Sequence, residues 1–201
     1  PFVPSVPGRD RPHCFVYRTI EDLEAMQASG ARSKTGVVMG GGLELALACT
    51  RRLAIEGNEP VFGLPEVQLG LHPGFGGTVR LTRLVGVRQA MDLMLTGRSI
   101  RPAQAKKHGL VDAVVSENNW RHVAVLMLTD GSQSGPAPWL DRLLAMSLFR
   151  PKLAQRLRHK VSTKAPEEHY PAPHALIALW EKHGGKATAA AYDAEAESFA
   201  R

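Results

Sequence analysis

The chain has 201 residues, a hydrophobic fraction of 44% and a formal net charge of +6. These values fit one substantial globular domain, or a smaller core with an appendage. The two cysteines, without metal-ligand spacing, argue against a disulfide framework and fit a reducing compartment. No apolar run approaches the length of a membrane span, and we expect neither a span nor a signal peptide.

The basic residues are concentrated late in the sequence and could suit an anionic partner. They alternate with leucines at roughly helical spacing, which indicates the solvated faces of amphipathic helices. These residues are Arg142, Arg150, Lys152, Arg156, Arg158, Lys160 and Lys164. Because no interleaved aromatic residues or reading motif accompany them, we do not expect nucleic-acid binding.

Residues 1–35 carry the weakest pattern. Residues 1–12 are proline-rich and are expected to be irregular. Residues 20–27 predict a short helix that is capped by Thr19. The following residues 36–39 are too few to predict a strand.

Regular structure is easier to predict from residue 43 onward. A helix is predicted over residues 43–54, with Cys49 buried in it as a small hydrophobic residue. Short strands are predicted at residues 61–63 and 110–115, the second one buried.

Glycine and proline predict where most later helices begin and end. Thr78 is the predicted N-cap of a helix carrying Leu81, Leu84 and Val85, and a second helix with Val87, Ala90, Met91, Met94 and Leu95 ends at Gly97. A short helix is predicted from Pro102 to His108. Further helices are predicted within 123–128 and near 139–149, 151–160, 173–183 and 187–200.

Two glutamates in apolar, glycine-bounded stretches are the candidate catalytic groups. Glu44 lies in the first turn of an apolar helix after three glycines, where burial of a charge would be costly unless the charge is used. Glu66 follows 66 − 44 = 22 residues later. Glycine allows close approach of the backbone to a ligand, and a helix start offers free N–H groups to negative charge. The pattern suggests acid–base chemistry on a carbonyl compound, although a lone Glu44 would be explained by the helix dipole alone.

These residues lie in motifs that resemble the enoyl-CoA hydratase/isomerase (crotonase) family. The motifs are GGGLELALAC (40–49), FGLPEVQLGLHPGFGGTVRL (62–81), LTG (95–97) and AKKHGLVDAVV (105–115). Within the family the chain is most similar to the hydratase part of the multifunctional fatty-acid oxidation complex α subunit. Residues 169–185 and 192–201 resemble the helical linker that precedes a hydroxyacyl-CoA dehydrogenase domain there.

The resemblance implies an α/β crotonase-like (ClpP/crotonase) core of ββα spiral type with an all-helical C-terminal extension. We divide the chain into an uncertain segment at 1–35, the core at 36–128, a linker at 129–138 and the extension at 139–201. The family normally carries a longer stretch before its glycines, with half of the oxyanion hole, so the core is expected to be N-terminally incomplete.

The resemblance also implies roles for individual residues. Glu44 and Glu66 match the two catalytic glutamates, the first activating water and the second delivering a proton to the α carbon. Gly41 matches an oxyanion-hole N–H, and Gly74 matches a backbone position that holds the water. The expected substrate pocket contains Gly42, Pro65, Leu71 and Phe75, with Phe75 capping the acyl pocket or filling core. His72 is interpreted as a packing or pocket-wall residue, and His108 and His122 have no metal-ligand partners, so no metal site is expected.

The implied activity is reversible hydration of 2-enoyl-CoA to 3-hydroxyacyl-CoA in β-oxidation. The expected substrate is an acyl-CoA thioester, with no metal or redox cofactor in this part and NAD only if a dehydrogenase domain follows. The expected partners are further copies of the chain or a thiolase β subunit, and the expected location is cytoplasmic, or mitochondrial in a eukaryote. Two alternatives stay open: isomerisation of 3-enoyl-CoA at the same site, and a non-catalytic assembly or binding element.

Overall fold

The computed structural model describes residues 41–129 and 138–200, and these described residues belong to one compact unit. The predicted helix at 20–27, the segment 36–39 and most of the linker at 129–138 lie outside the described residues. In chain order the α-helices are α1 (Gly41–Ala48), α2 (Gly77–Val85), α3 (Val87–Thr96), α4 (Pro102–Lys107), α5 (Trp120–Thr129), α6 (Trp139–Leu144), α7 (Arg150–Ser162), α8 (Pro171–His183) and α9 (Ala189–Phe199). A 3₁₀ helix covers Pro65–Leu69.

The strands β1 (Leu53–Ile55) and β2 (Ala113–Val115) form a short parallel pair in which Leu53 faces Ala113. An isolated antiparallel bridge joins Phe62 to Ile100, where the Ile100 N–H donates to the Phe62 carbonyl at 2.8 Å. The predicted strand at 61–63 is therefore reduced to this single bridge. The predicted strand at 110–115 is confined to its last part and is half-buried.

Helices α2 and α3 form the centre of the core, and their predicted limits depend on glycine. Gly86 separates the two helices with a φ of +84°, and Gly97 ends α3 with a φ of +63°. Only glycine adopts such angles without strain, so the positions of these two glycines in the sequence determine where the helices end. The predicted end of the second helix at Gly97 is confirmed.

The same core includes side chains from the C-terminal helices. Ala154 of α7 and Leu176, Ile177 and Trp180 of α8 belong to one hydrophobic cluster with the helices of residues 41–129. Burial of these side chains in this cluster removes apolar surface from water, the main favourable term in folding. The helices after residue 138 are thus part of the packed unit.

Asp141 of α6 joins this extension to the N-terminus of α3. It is 4% exposed, and its Oδ1 accepts the backbone N–H of Arg88 at 3.0 Å. The Arg88 guanidinium also donates to both carboxylate oxygens, at 3.3 and 3.0 Å. A carboxylate from a distant helix therefore caps α3, because Gly86 at its N-cap has no side chain.

The helix predicted over 43–54 is wrong in its second half. It ends at Ala48, and Leu53 begins β1, since the chain must leave the helix to pair with β2. Cys49 therefore lies after the helix, and the prediction that it is buried is also wrong, because it is an exposed free thiol.

Two further predicted limits need correction. Thr78 is not an N-cap, because α2 already begins at Gly77 after an N-cap at Gly76. The helix predicted over 139–149 ends at Leu144, and α7 starts anew at Arg150 with Pro151 in its first turn. Proline has no N–H to donate and suits a helix start, which explains the break. No helix among the described residues is long and apolar enough to cross a membrane.

Candidate active site

Helix α1 places Glu44 at its buried face. Leu43 and Leu47 point into the core, and Glu44 in the first turn is only 1% exposed. Its Oε1 accepts the backbone N–H groups of Phe75 at 2.9 Å and Gly77 at 2.7 Å. A buried carboxylate is therefore fixed by two backbone donors, which offset part of the cost of its burial.

The donors come from the bend that leads into α2. Gly76 has a φ of +91°, which turns the chain so that successive N–H groups face inward. At Gly77 a Cβ atom would lie 2.5 Å from Glu44 Oε1 and 2.8 Å from the Pro73 side chain. The absence of a side chain at residue 77 is thus required for the carboxylate to approach the backbone.

Glu66 is presented by the 3₁₀ helix at Pro65–Leu69. Leu64, immediately before it, is fully buried and anchors the helix, and Pro65 occupies its first position. Later in the same 3₁₀ helix, Gln68 Nε2 donates to the Gly97 carbonyl at 3.0 Å. The Glu66 Oε2 atom is buried and has no hydrogen-bond partner among the residues described. An unpartnered buried acceptor is costly and is typical of groups kept for chemistry.

The two glutamates differ in their electrostatic environment. Burial raises the pKa of Glu44, and the N–H groups of Phe75, Gly77 and Gly74 lower it in part, while the charge of Glu195 raises it further. Burial raises the pKa of Glu66 to about 7; its own backbone N–H opposes this shift, and the charge of Glu44 adds to it. The charge of Glu44 thus acts on the Glu66 carboxyl, whereas the carboxylate whose charge acts on Glu44 is Glu195. With a pKa of about 7, Glu66 can hold a proton near neutral pH and exchange it with a ligand.

A third buried carboxylate, Glu195 of α9, was missed by sequence reasoning. It is 1% exposed and accepts the Gly76 N–H, the Thr78 N–H at 3.1 Å and the Thr78 hydroxyl. A sequence signal does exist, since Glu195 lies four residues after Ala191 and therefore on the same buried helix face. Nothing in the sequence, however, indicates which backbone it meets.

The other predicted site residues lie on the same segments with different exposures. Gly41 opens α1, where the first N–H groups have no acceptor within the helix. Gly42 and Pro65 are half-buried, whereas Leu71 is 41% exposed. Phe75 is 67% exposed, so the expectation that it fills core is wrong, while its backbone N–H reaches Glu44.

Gly74 and His72 lie where the bend meets α9. The ring of Phe199 covers Gly74, where a Cβ would come within 2.6 Å of the ring. His72 is buried, bonds through Nε2 to the Ser198 hydroxyl at 2.9 Å and packs edge-on against Phe199. These contacts agree with the packing role predicted for His72.

His108 and His122 take no part in this arrangement. Burial, together with the charges of Lys107 and Arg98, lowers the pKa of His108, with a weak opposing contribution from Asp92. Within residues 41–129 and 138–200, no group of His, Cys, Asp or Glu side chains could hold a metal ion.

Val67, the residue after Glu66, lines an apolar cavity of about 350 Å³. Its walls include Val67, Met91, Leu95, Leu157, Val161 and Pro173, with Arg88, Lys160 and Lys164 among its polar residues. Neither Glu44 nor Glu66 lines this cavity, which meets the candidate site only through the neighbour of Glu66 in sequence.

Two glutamates with raised pKa values, the buried Glu44 and the half-buried Glu66, form the candidate acid–base site beside the glycine-rich start of α1. The chain belongs to the enoyl-CoA hydratase/isomerase family, whose family model matches residues 33–157. This match confirms the resemblance and the crotonase-like fold class predicted from the motifs. The family acts on CoA thioesters.

Several solved structures are similar to this chain. The enoyl-CoA hydratase from Bacillus anthracis shares 30% identity, with 74% of this chain and 50% of that one covered and a TM-score of 0.43. The enoyl-CoA hydratase from Mycobacterium tuberculosis shares 25% identity over 82% and 58% of the two chains, with a TM-score of 0.46. A carnitinyl-CoA dehydratase from Mycobacterium avium shares 36% identity, with 45% of this chain and 35% of that one covered and a TM-score of 0.41. The chain spans about half the length of the first of these structures.

Proposed function

We propose that this chain provides the acid–base pair of an enoyl-CoA hydratase, which adds water reversibly to 2-enoyl-CoA to give 3-hydroxyacyl-CoA. The observation that carries the proposal is a set of two carboxyl groups with raised pKa values, the buried Glu44 and the half-buried Glu66, in which the charge of Glu44 helps to raise the pKa of Glu66. Hydration needs a base for water at the β carbon and an acid for the α carbon. Both groups are then required in opposite protonation states at the same pH.

The different surroundings of the two acids suggest their roles. Glu44 accepts N–H groups from Phe75 and Gly77, which favour its carboxylate form, so it is the proposed base that takes a proton from water. Glu66, with a pKa of about 7 and an unpartnered Oε2, is the proposed acid that gives a proton to the α carbon. The hydroxyl goes to the β carbon, and dehydration reverses each transfer.

Backbone groups supply the rest of the proposed chemistry. The N–H of Gly41 at the start of α1 would hold the negative charge that develops on the thioester oxygen, with help from the helix dipole. Gly74 would help to hold the water. Removal of one oxyanion donor costs roughly 10²–10³ in turnover. These steps use carboxyl and N–H groups and need neither a metal nor a redox cofactor.

The remaining assignments are proposals of the same kind. Gly42, Pro65, Leu71 and Phe75 would border the acyl thioester, and the apolar cavity beside Val67 offers room for a chain. The helices after residue 138 would act as an extension of the core, in the manner of the linker in a bifunctional hydratase and dehydrogenase. Assembly with further copies or with a thiolase β subunit belongs to the same proposal.

The test is hydration of crotonyl-CoA, followed as loss of the conjugated enoyl thioester absorbance. The parent chain is compared with Glu44→Gln, Glu66→Gln and the control Glu59→Gln, which changes an exposed glutamate. We expect turnover in the parent and in the control and a loss of roughly 10²–10⁴-fold in each of the other two variants.

A folded parent without turnover would refute the proposal and favour the assembly element. A 3-enoyl-CoA substrate in the same assay tests the isomerase alternative. If it is converted while crotonyl-CoA is not, the hydratase assignment is wrong and the isomerase takes its place.

A further inference from the structure

The N-terminus of α2 is held by two carboxylates from different parts of the chain. Four successive N–H groups, from Phe75 to Thr78, alternate between them: those of Phe75 and Gly77 go to Glu44, and those of Gly76 and Thr78 go to Glu195. The helix has only Gly76 as its N-cap and therefore no cap from its own sequence. Glu44 and Glu195 together supply that cap.

Glu195 binds the bend through both of its carboxylate oxygens. It uses both oxygens, Oε1 on the Gly76 N–H and Oε2 on the Thr78 N–H and hydroxyl. Three donors on a side chain that is 1% exposed leave it little freedom. Glu44 accepts the N–H groups of Phe75 and Gly77 through Oε1, and the Gly74 N–H also lowers its pKa; because these donors belong to the same bend, the position of Glu44 depends on where the bend lies.

Other residues of α9 contact the same bend. Tyr192 packs under the Arg80 guanidinium, 5.0 Å from the ring centroid, and Arg80 in turn donates to the Phe75 carbonyl. One turn beyond Glu195, the Ser198 hydroxyl is hydrogen-bonded to His72 Nε2, and the ring of Phe199 covers Gly74. One face of α9 therefore fixes the backbone on both sides of Phe75.

We propose that Glu195 is a positioning residue for Glu44: it holds the backbone at Gly76 and Thr78 so that the alternate N–H groups of Phe75 and Gly77 face the Glu44 carboxylate. Glu195 acts through the bend, and the reacting proton moves only at Glu44 and Glu66. The inference rests on the proposed function, and it gives the last helix a direct part in the acid–base site.

The direct readout is amide hydrogen exchange at Phe75 and Gly77, the two N–H groups that Glu195 does not touch. In Glu195→Gln, one acceptor oxygen is replaced by an NH₂ group that cannot accept, so the bend loosens. We expect exchange at Phe75 and Gly77 to accelerate at least about tenfold, as well as at Gly76 and Thr78. Glu197→Gln, an exposed glutamate of the same helix, should leave all four rates unchanged.

Turnover of crotonyl-CoA supplies a second readout. We expect Glu195→Gln to lower kcat about tenfold or more with KM nearly unchanged, since the substrate contacts stay and the base is misplaced. Thr78→Val keeps Glu195 and removes only the hydroxyl donor, so it should change both readouts in the same direction by a smaller factor. This variant also tests the proposal if Glu195→Gln fails to fold.

Faster exchange confined to Gly76 and Thr78, with parental rates at Phe75 and Gly77, would overturn the positioning role. So would a lowered Tm combined with parental kcat. Because hydrogen exchange needs no substrate, it tests the bend even if the parent chain proves inactive, and the two proposals can fail separately.

Discussion

At the scale of single residues, the same side chain behaves differently in two surroundings. Glu44 is buried but meets backbone donors, whereas Glu66 keeps an oxygen without a partner. Hydrogen-bond donors stabilise the charged carboxylate, whereas burial without such donors favours the neutral carboxylic acid. The proposed assignment of Glu44 as base and Glu66 as acid therefore depends on where the N–H groups of one glycine-rich bend point.

Gly77→Ala tests how closely the bend must approach Glu44. The new Cβ would lie 2.5 Å from Oε1, so the carboxylate or the bend must move. A displacement on the order of 1 Å can cost about 10²-fold in turnover, and we expect a loss of that size in kcat. Gly57→Ala is the matched control, because nothing lies within 4 Å of a Cβ there. Parental kcat in a folded Gly77→Ala variant would show that the close contact is not needed.

Glu66 should also make the stability of the protein depend on pH. Its pKa rises from 4.5 to about 7 on folding, so between these values the folded state binds more protons than the unfolded state. The free energy of unfolding therefore falls as pH rises through this window, and Glu66→Gln removes that fall. The variant should gain about 1–2 kcal/mol relative to the parent between about pH 5 and pH 8, after allowance for solvent screening.

Urea unfolding at the two pH values measures this gain, and the comparison cancels any pH-independent cost of the new amide. Parallel pH dependences in parent and variant would mean that the Glu66 pKa is not raised by folding.

At the scale of helices and strands, the predictions succeeded where glycine and proline control the backbone. Gly97 ended α3, and Pro102 opened α4 as predicted, because these residues act through local geometry. The helix through residue 54 failed because pairing with β2 overrides local helix propensity at Leu53. Such pairing joins residues about 60 apart and leaves no trace in a local pattern.

Asp141→Ala tests the contact between α6 and α3. The substitution removes the acceptor for the Arg88 N–H and leaves the N-terminus of α3 without a side-chain cap. We expect a loss of about 1–2 kcal/mol in the free energy of unfolding, measured with urea. Asp193→Ala, an exposed residue of α9, is the control. A loss below about 0.5 kcal/mol would show that the cap is unimportant.

At the scale of the whole molecule, the site depends on two distant parts of the chain. The motifs at 40–49 and 62–81 predicted Glu44 and Glu66, because each motif is a local run of glycines and apolar residues. The part played by α9 could not be predicted, since Glu195 meets Gly76 from a position 119 residues away. The exposure of Phe75 could not be predicted from the sequence either, because the burial of a side chain in a bend depends on what packs against it.

We propose that Glu44 and Glu66 catalyse the addition of water across the double bond of an enoyl thioester. The most direct test is to incubate the chain with crotonyl-CoA in deuterated, oxygen-18-labelled water and to analyse the product by mass spectrometry and NMR. We expect oxygen-18 at the β carbon and deuterium at the α carbon with the parent chain, and neither label with Glu44→Gln. Deuterium at carbon without incorporation of oxygen-18 would contradict hydration and indicate proton transfer alone.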